Sequence, residues 1–508
     1  MPPLMDASPD RNLAPDVQLA DPQPKSAGSG VWKGTLLLAS VLTIVCSLVM
    51  MATVDSTGDN WELQVSIVSL LWIAIYFGCT YFFFKTAYLL TSLYVAMLVL
   101  FHLGITIPDA FGVFRPTVWP TPGIDSKWFE LSGWCTVLSL GSLGLGFSIG
   151  LNARDAAIHR ALKAGADANR VLAGLYHDGL GLLLASAIFL GLAFATFGNL
   201  LNYTRVEFFQ GVADTRGLGG TLMVLPGALT ALLIGATTPA KKSFAAILVT
   251  LGFIAILLSG YRSYALCPAI VGATIWVKTG RTIPTWLVGG MLGLILLAIP
   301  TVGILREGSY KDINFTTLAD SAQRAKLQDT LLLGLTGGIL ADVLRLVPAQ
   351  DPYRYGQSYW LAVQLSIPNV LPQTREDPRA QSKRAAFDVD AINSMPPADW
   401  ITYRTAPDLF YIGQGTGFTG IGEPYINFGY PGVIAFFVGL GFCFARMDSA
   451  VLARRPLLLT FCCTMLWPLI STVRQDIYNF IKPAVFVFVI VYAWRGITKL
   501  FRAIAVSR

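Results

Sequence analysis

Long apolar runs separated by short polar segments follow one another along most of the chain. Runs long enough to cross a hydrocarbon core, roughly 17 to 25 residues each, occupy about 34–54, 63–84, 86–105, 129–151, 178–199, 219–237, 244–261, 264–278, 286–305, 429–445, 457–473 and 479–495. They predict about twelve transmembrane helices. Three are short or interrupted: 264–278 contains Pro268, 457–473 contains Pro468, and 479–495 carries Lys482 and Pro483 near its start. Residues 1–31, rich in Pro, Asp and Ala, lack this pattern and read as a flexible tail, so the first helix is expected to act as an uncleaved signal anchor.

Composition agrees with the pattern. Of 508 residues, 54% are hydrophobic and only 13% charged, with a mean hydropathy of +0.58. A soluble globular chain carries about 25% charged residues. The sequence is that of an all-α polytopic membrane protein.

The few charges orient it, because Lys and Arg in short loops mark the cytoplasmic side. With the N-terminus inside, Lys33, Lys85, Arg154, Arg160, Lys163, Arg170, Lys241, Lys242, Lys278, Arg281, Arg446, Arg454, Arg455, Arg495, Lys499 and Arg502 all fall inside. The outer loop 55–62 has acids and no base. This gives a cytoplasmic tail (1–31), nine helices (32–305), a large extracytoplasmic segment (306–428), and three further helices with a cytoplasmic C-terminus (429–508).

The outer segment is longer than a connector needs, and such loops are functional or disordered. Within it, TLLLGLTGGILADVLRLV (330–347) is apolar but interrupted by Asp342 and Arg345, which fits a re-entrant or surface-lying helix better than another span. Tyr353, Tyr355, Tyr359, Trp360, Trp400, Tyr403, Phe410 and Tyr411 are either interfacial anchors or platforms for sugar rings. At its end, GTGFTG (415–420) satisfies G-x-G-x-x-G. It lacks the strand before it that a dinucleotide fold requires, and it faces the side where nicotinamide cofactors are not expected. Its glycines therefore read as permitting positive φ and close backbone approach.

Three arginines sit at the outer ends of odd-numbered helices: Arg262 in SGYRS, Arg306 in LREG and Arg474 in VRQD. Each either snorkels to headgroups or pairs locally, Arg306 with Glu307 and Arg474 with Asp476. As a set they point to an embedded phosphate-bearing ligand, because a guanidinium stays charged and grips phosphate oxygens bidentately. The segment 306–428 holds neither His nor Cys, so it can build no His/Cys metal cluster, no disulfide and no Ser/His/Asp triad. A proton carrier there must be Asp or Glu. Glu423, between the glycine loop and an apolar stretch, is the first candidate, with Glu307 and Asp476 next. Partial burial would raise its pKa toward that of a general base, or it is a plain acid favoured at a helix start.

GTGFTGIGEPYINFGYPG (415–432) resembles the stretch of Wzy-type O-antigen and exopolysaccharide polymerases in which a glycine-rich loop leads to an acid, an aromatic and Asn-Phe-Gly. YRYGQSYWLAVQLSIPNVLP (353–372) is similar to the family's Tyr-Gly-x-Ser-Tyr stretch, and SGYRS and VRQD resemble its other arginine sites. The likeness covers roughly 244–490, in islands. It implies a GT-C-like fold and a lipid-dependent glycosyltransferase at the periplasmic face of the bacterial inner membrane. Such an enzyme moves a glycan from one undecaprenyl diphosphate to a second carrier-linked repeat unit, without nucleotide sugar, metal or other cofactor. Its partners would be the carrier-linked oligosaccharide, the bilayer and a chain-length-regulating membrane protein, and no nucleic acid. Arg345, Arg354, Tyr355, Tyr359, Tyr425 and Asn427 join Arg262, Arg306 and Arg474 as candidate substrate-binding residues.

Two rivals stay open. A lipid-linked oligosaccharide flippase or transporter would be expected to show an internal repeat, and none is visible. The O-antigen ligases are known for a histidine in their large periplasmic loop, and 306–428 has none.

Overall fold

The computed structural model describes residues 27–54, 60–84, 89–113, 125–151, 167–197, 218–258, 272–276, 335–367, 395–411, 415–450 and 456–506. The described residues are helical, with turns and extended linkers between. In chain order the helices are α1 (Ala27–Ala52), α2 (Trp61–Phe84), α3 (Leu90–Leu103), α4 (Thr106–Ala110), α5 (Ser126–Gly150), α6 (Asp167–Phe197), α7 (Leu218–Gly235), α8 (Pro239–Leu258), α9 (Thr336–Leu346), α10 (Gln357–Ser366), α11 (Pro397–Thr405), α12 (Pro407–Tyr411), α13 (Gly422–Ala450), α14 (Pro456–Ser471) and α15 (Tyr478–Val506). Among the described residues six helices are long and apolar enough to cross a membrane: α1, α2, α5, α6, α13 and α15. α3 and parts of α7 and α14 are apolar but shorter. Of the runs read from sequence, 264–278 is described only at 272–276, and 286–305 lies outside the described residues.

α5 is the central post, buried along most of its length between α1, α2, α13 and α9. Its small residues explain how. A Cβ on Gly146 would stand 1.9 Å from the Val438 carbonyl oxygen, and one on Gly441 would stand 2.0 Å from that of Leu143. The α5 and α13 backbones thus touch where both helices carry glycine, the close approach that small residues allow between membrane helices. α1 and α15 lie at the rim, with Leu38, Leu42, Val49, Phe488, Val489 and Phe501 exposed, an arrangement suited to lipid.

Contacts fix the direction of each helix. At one end, the basal end, the Lys33 ammonium donates to the Leu151 carbonyl at 2.7 Å, Trp32 stacks on Phe82, and Asp448 accepts from the backbone N–H groups of Leu90 and Thr91. The start of α1, the end of α2, the start of α3 and the ends of α5 and α13 therefore share that side. At the opposite end Val54, Trp61, Leu103, Phe129 and Ala341 form one apolar cluster. α1, α2, α3 and α5 thus alternate in direction.

α9 joins this far end. Eleven residues rise only about 16 Å, too little to cross a bilayer. It is buried on nearly every side, with the Ser132 hydroxyl donating to the Gly337 carbonyl at 2.7 Å. α3, read from sequence as 86–105, is a shorter helix that stops at Leu103. Its last turn is in use at the site.

Candidate functional site

The site is built where α13 begins. Gly429 has φ +65 and ψ −156, which breaks the helix after two turns, and Pro431 has no N–H to offer the Asn427 carbonyl. The freed carbonyls are taken by a neighbouring linker: Arg354 N–H donates to Ile426 O at 2.8 Å and Tyr355 N–H to Asn427 O at 3.1 Å. A Cβ on Gly429 would stand 3.2 Å from the Tyr353 hydroxyl, so the kink and the 353–355 segment fit each other. Sequence thus dictates a broken helix, and the break captures a segment some seventy positions upstream.

Asn427 and Glu423 complete the joint. Fully buried, the Asn427 amide accepts from Gly356 N–H at 2.8 Å and donates to the Ser358 hydroxyl at 2.7 Å and to the Glu423 carbonyl at 2.8 Å. Ser358 donates in turn to Glu423 Oε1 at 2.9 Å, while Glu423 Oε2 accepts from Ile477 N–H at 2.6 Å. Glu423 is 3% exposed, and each of its oxygens holds one hydrogen bond. Arg354 and Asp476 are close enough to act on it electrostatically, with opposite sign. Buried Asp476 accepts from the Asn479 amide at 2.7 Å. The three starting points α10, α13 and α15 are therefore tied through one carboxylate.

The glycine loop lies on the other side of the same 472–477 segment. Phe418 N–H donates to the Arg474 carbonyl at 3.2 Å and Gly420 N–H to that of Val473 at 3.2 Å. Gly417 adopts φ +89, a conformation that L side chains rarely take, and a Cβ on Gly420 would fall 2.3 Å from the Thr472 carbonyl oxygen. Only glycine allows that approach. The loop is pinned as a short ladder against the arginine's own backbone. Among the described residues it is preceded by α12 and followed by α13, with no strand of a dinucleotide fold beside it.

The arginines divide into two kinds. Arg354 is buried: its Nη1 donates to the Met395 carbonyl at 2.6 Å and its guanidinium lies 5.2 Å from the Trp400 ring centroid. Burial lowers its pKa to about 10, against the raising effect of Glu423 and Asp351, so it remains a cation at neutral pH. Arg345 pairs with Asp342 at 3.0 Å. Arg474 forms no ion pair among the described residues. Its guanidinium sits 5.8 Å from the Phe101 ring centroid. It is exposed, and desolvation by the surrounding protein lowers its pKa. The local pairing of Arg474 with Asp476 considered from sequence is not formed.

The aromatics divide likewise. Trp400 is buried, its indole donating to Asp351, which also holds Arg404. Tyr425 is buried, its hydroxyl donating to the Val347 carbonyl at 3.1 Å and its ring packed on Tyr353 and Tyr430. Burial and the nearby Glu423 charge raise the pKa of half-buried Tyr359. Tyr355 is 75% exposed and holds φ +48, a left-handed conformation costly for a tyrosine, while Trp360 and Tyr411 also face outward.

Arg262, Arg306 and Glu307 lie outside the described residues. Ser358, Phe101, His102 and Thr419 belong to the site and were not singled out from sequence. Ser358 was within reach, as the serine of the Tyr-Gly-x-Ser-Tyr stretch. No group of three or more His, Cys, Asp or Glu able to hold a metal occurs among the described residues.

No match was found among the curated proteins or the solved structures. The family model for the O-antigen polysaccharide polymerase Wzy matches residues 35–501, almost the whole chain, including every element of the site described above. A chain that carries this match from the first membrane helix to the last belongs to the O-antigen polymerase Wzy family.

Proposed function

We propose that this polymerase works at the periplasmic face of the bacterial inner membrane, with both termini cytoplasmic, twelve spans and a GT-C-like arrangement. It transfers a growing glycan from undecaprenyl diphosphate to a second undecaprenyl-diphosphate-linked oligosaccharide repeat unit. The observation that carries this reading is Arg474, an accessible guanidinium with no ion pair among the described residues, three residues before Ile477, whose N–H holds the buried Glu423 carboxylate. A leaving diphosphate supplies the missing counter-charge, and Arg262 and Arg306 would add to its grip.

In the reaction the acceptor hydroxyl oxygen bonds to the anomeric carbon as the bond from that carbon to the diphosphate oxygen breaks. The diphosphate leaves with the bonding electrons, and its developing charge falls to the arginines. The hydroxyl proton passes to Glu423, whose oxygens each retain a free lone pair. Access to it requires the 472–477 segment to part from the first turn of α10. Glu307 or Asp476 takes the proton if Glu423 does not. Tyr355, exposed and strained, offers its face to a sugar ring, while Tyr359, Tyr425 and Asn427 shape the wall beneath. Arg354 and Arg345 act through the fold that they hold.

The test is reconstitution in vesicles with purified carrier-linked repeat unit. A ladder of carrier-linked products supports the proposal. Movement of carrier across the bilayer without a ladder favours the flippase reading, and transfer only to a lipid A core acceptor favours the ligase. Co-purification with a chain-length-regulating membrane protein that narrows the ladder would identify that partner.

A further inference from the structure

The last turn of α3 touches both halves of the site. His102 is 3% exposed, and its two ring nitrogens have different partners: Nδ1 lies 3.1 Å from the Leu98 carbonyl and Nε2 2.8 Å from the Thr419 hydroxyl. A carbonyl only accepts, so Nδ1 carries a proton. Both partners are uncharged, and an imidazolium buried without a counter-charge is costly, so the neutral ring is favoured and Nε2 accepts from Thr419 O–H. Thr419 Oγ1 accepts in turn from Ile421 N–H at 3.2 Å. The chain of bonds thus runs in one direction, from Ile421 at the start of α13 through Thr419 and the imidazole to the α3 backbone.

The neighbours of this chain give it a purpose. Phe418 and Gly420, which flank Thr419, are the residues that pair with Arg474 and Val473. Phe101, next to His102, lies under the Arg474 guanidinium. α9 closes on the same turn, since a Cβ on Gly337 would stand 2.7 Å from the His102 carbonyl oxygen. One helical turn therefore grips the glycine loop by a hydrogen bond and carries the ring beneath the arginine that the loop is pinned to.

We propose that His102 is a positioning residue for the transfer reaction, whose Nε2 acceptor locks Thr419 and so fixes the glycine loop and Arg474 relative to the carrier diphosphate. It touches no substrate. The inference rests on the reading of Arg474 given above. Because the lock needs an acceptor at the Nε2 position and a hydroxyl opposite it, the two sides can be tested independently.

The experiment uses the full chain in detergent and in vesicles, with purified carrier-linked repeat unit, and reads kcat, KM and thermal stability. His102→Gln places an amide oxygen near the Nε2 position and is expected to keep activity within about threefold. His102→Phe fills the space without an acceptor and is expected to lower kcat by 10-fold or more, with a modest fall in thermal stability because the buried Thr419 hydroxyl loses its acceptor. On the other side, Thr419→Ser is expected to retain activity and Thr419→Val to lose it. The double variant His102→Phe/Thr419→Val should be no worse than either single one, as for two ends of one bond. Parental activity in His102→Phe or Thr419→Val would overturn the proposal, as would equal loss in His102→Gln and His102→Phe, or additive losses in the double variant. If His102→Phe does not fold, the Thr419 pair decides by the same criteria. Arg474→Ala separates the two readings: full activity there removes Arg474 from the reaction, whatever the His102 variants do.

Discussion

Replacing Glu423 by Gln separates proton transfer from architecture. The parental carboxylate accepts from Ser358 O–H and from Ile477 N–H. A glutamine best keeps its oxygen on Ile477, because a backbone N–H cannot accept, and turns its NH₂ toward Ser358. The Ser358 oxygen already takes the Asn427 amide and has a second lone pair for the new donor. What is lost is the acceptor for the Ser358 proton, one buried donor, at a cost of about 1–3 kcal/mol of stability. Loss of a positioned base costs about 10²- to 10⁴-fold in rate, or roughly 2.7–5.4 kcal/mol of barrier. The expected outcome is a folded, membrane-inserted variant that retains carrier-linked repeat unit and makes little polymer. The assays are the product ladder with purified substrate, carrier retention and thermal unfolding in detergent. Ser358→Ala removes the same hydrogen bond while leaving the carboxylate, so its rate should fall far less. Two results refute the reasoning. A parental rate in Glu423→Gln sends the proton to Glu307 or Asp476, and an equal loss in Ser358→Ala makes Glu423 a strut rather than a base.

Arg474→Lys keeps the charge but not the planar fork, so losing one charge-assisted hydrogen bond, about 1.5–3 kcal/mol, should lower the polymerisation rate roughly 10- to 150-fold. A headgroup-snorkelling arginine would tolerate the change. Gly420→Ala drives a Cβ into the Thr472 carbonyl and should abolish polymer by pushing the loop off Arg474, whereas Gly439→Ala, with open space at its Cβ, should match the parental ladder. In a cysteine-free background, Asp388→Cys should react with a membrane-impermeant thiol reagent in intact cells and Ala164→Cys should not; the reverse pattern would invert the orientation.

What the sequence makes legible here is what depends on neighbours along the chain. Runs of apolar residues specify α1, α2, α5, α6, α13 and α15 because a bilayer selects length and hydropathy, which are local quantities. The glycine loop, the acid after it and the Asn-Phe-Gly break are likewise visible as residue types, and Pro431 announces that the Asn427 carbonyl needs a donor from elsewhere. The sequence does not say which donor. Glu423 and Ser358 are 65 positions apart, and His102 and Thr419 are 317 apart, so their hydrogen bonds exist only once α3, α10 and α13 have packed. The same limit separates the arginines. Arg354 and Arg474 both follow short polar or aromatic stretches and look equally fit to hold phosphate. Trp400 and the Met395 carbonyl claim the first, while the second meets a phenylalanine and no acid among the described residues. An arginine that the fold has already satisfied has little left to give a ligand. Chemistry in this chain therefore follows from which charges the packing leaves unmet, and at Arg474 the unmet charge and the backbone that aims it are delivered by the same four residues, Thr472 to Gln475.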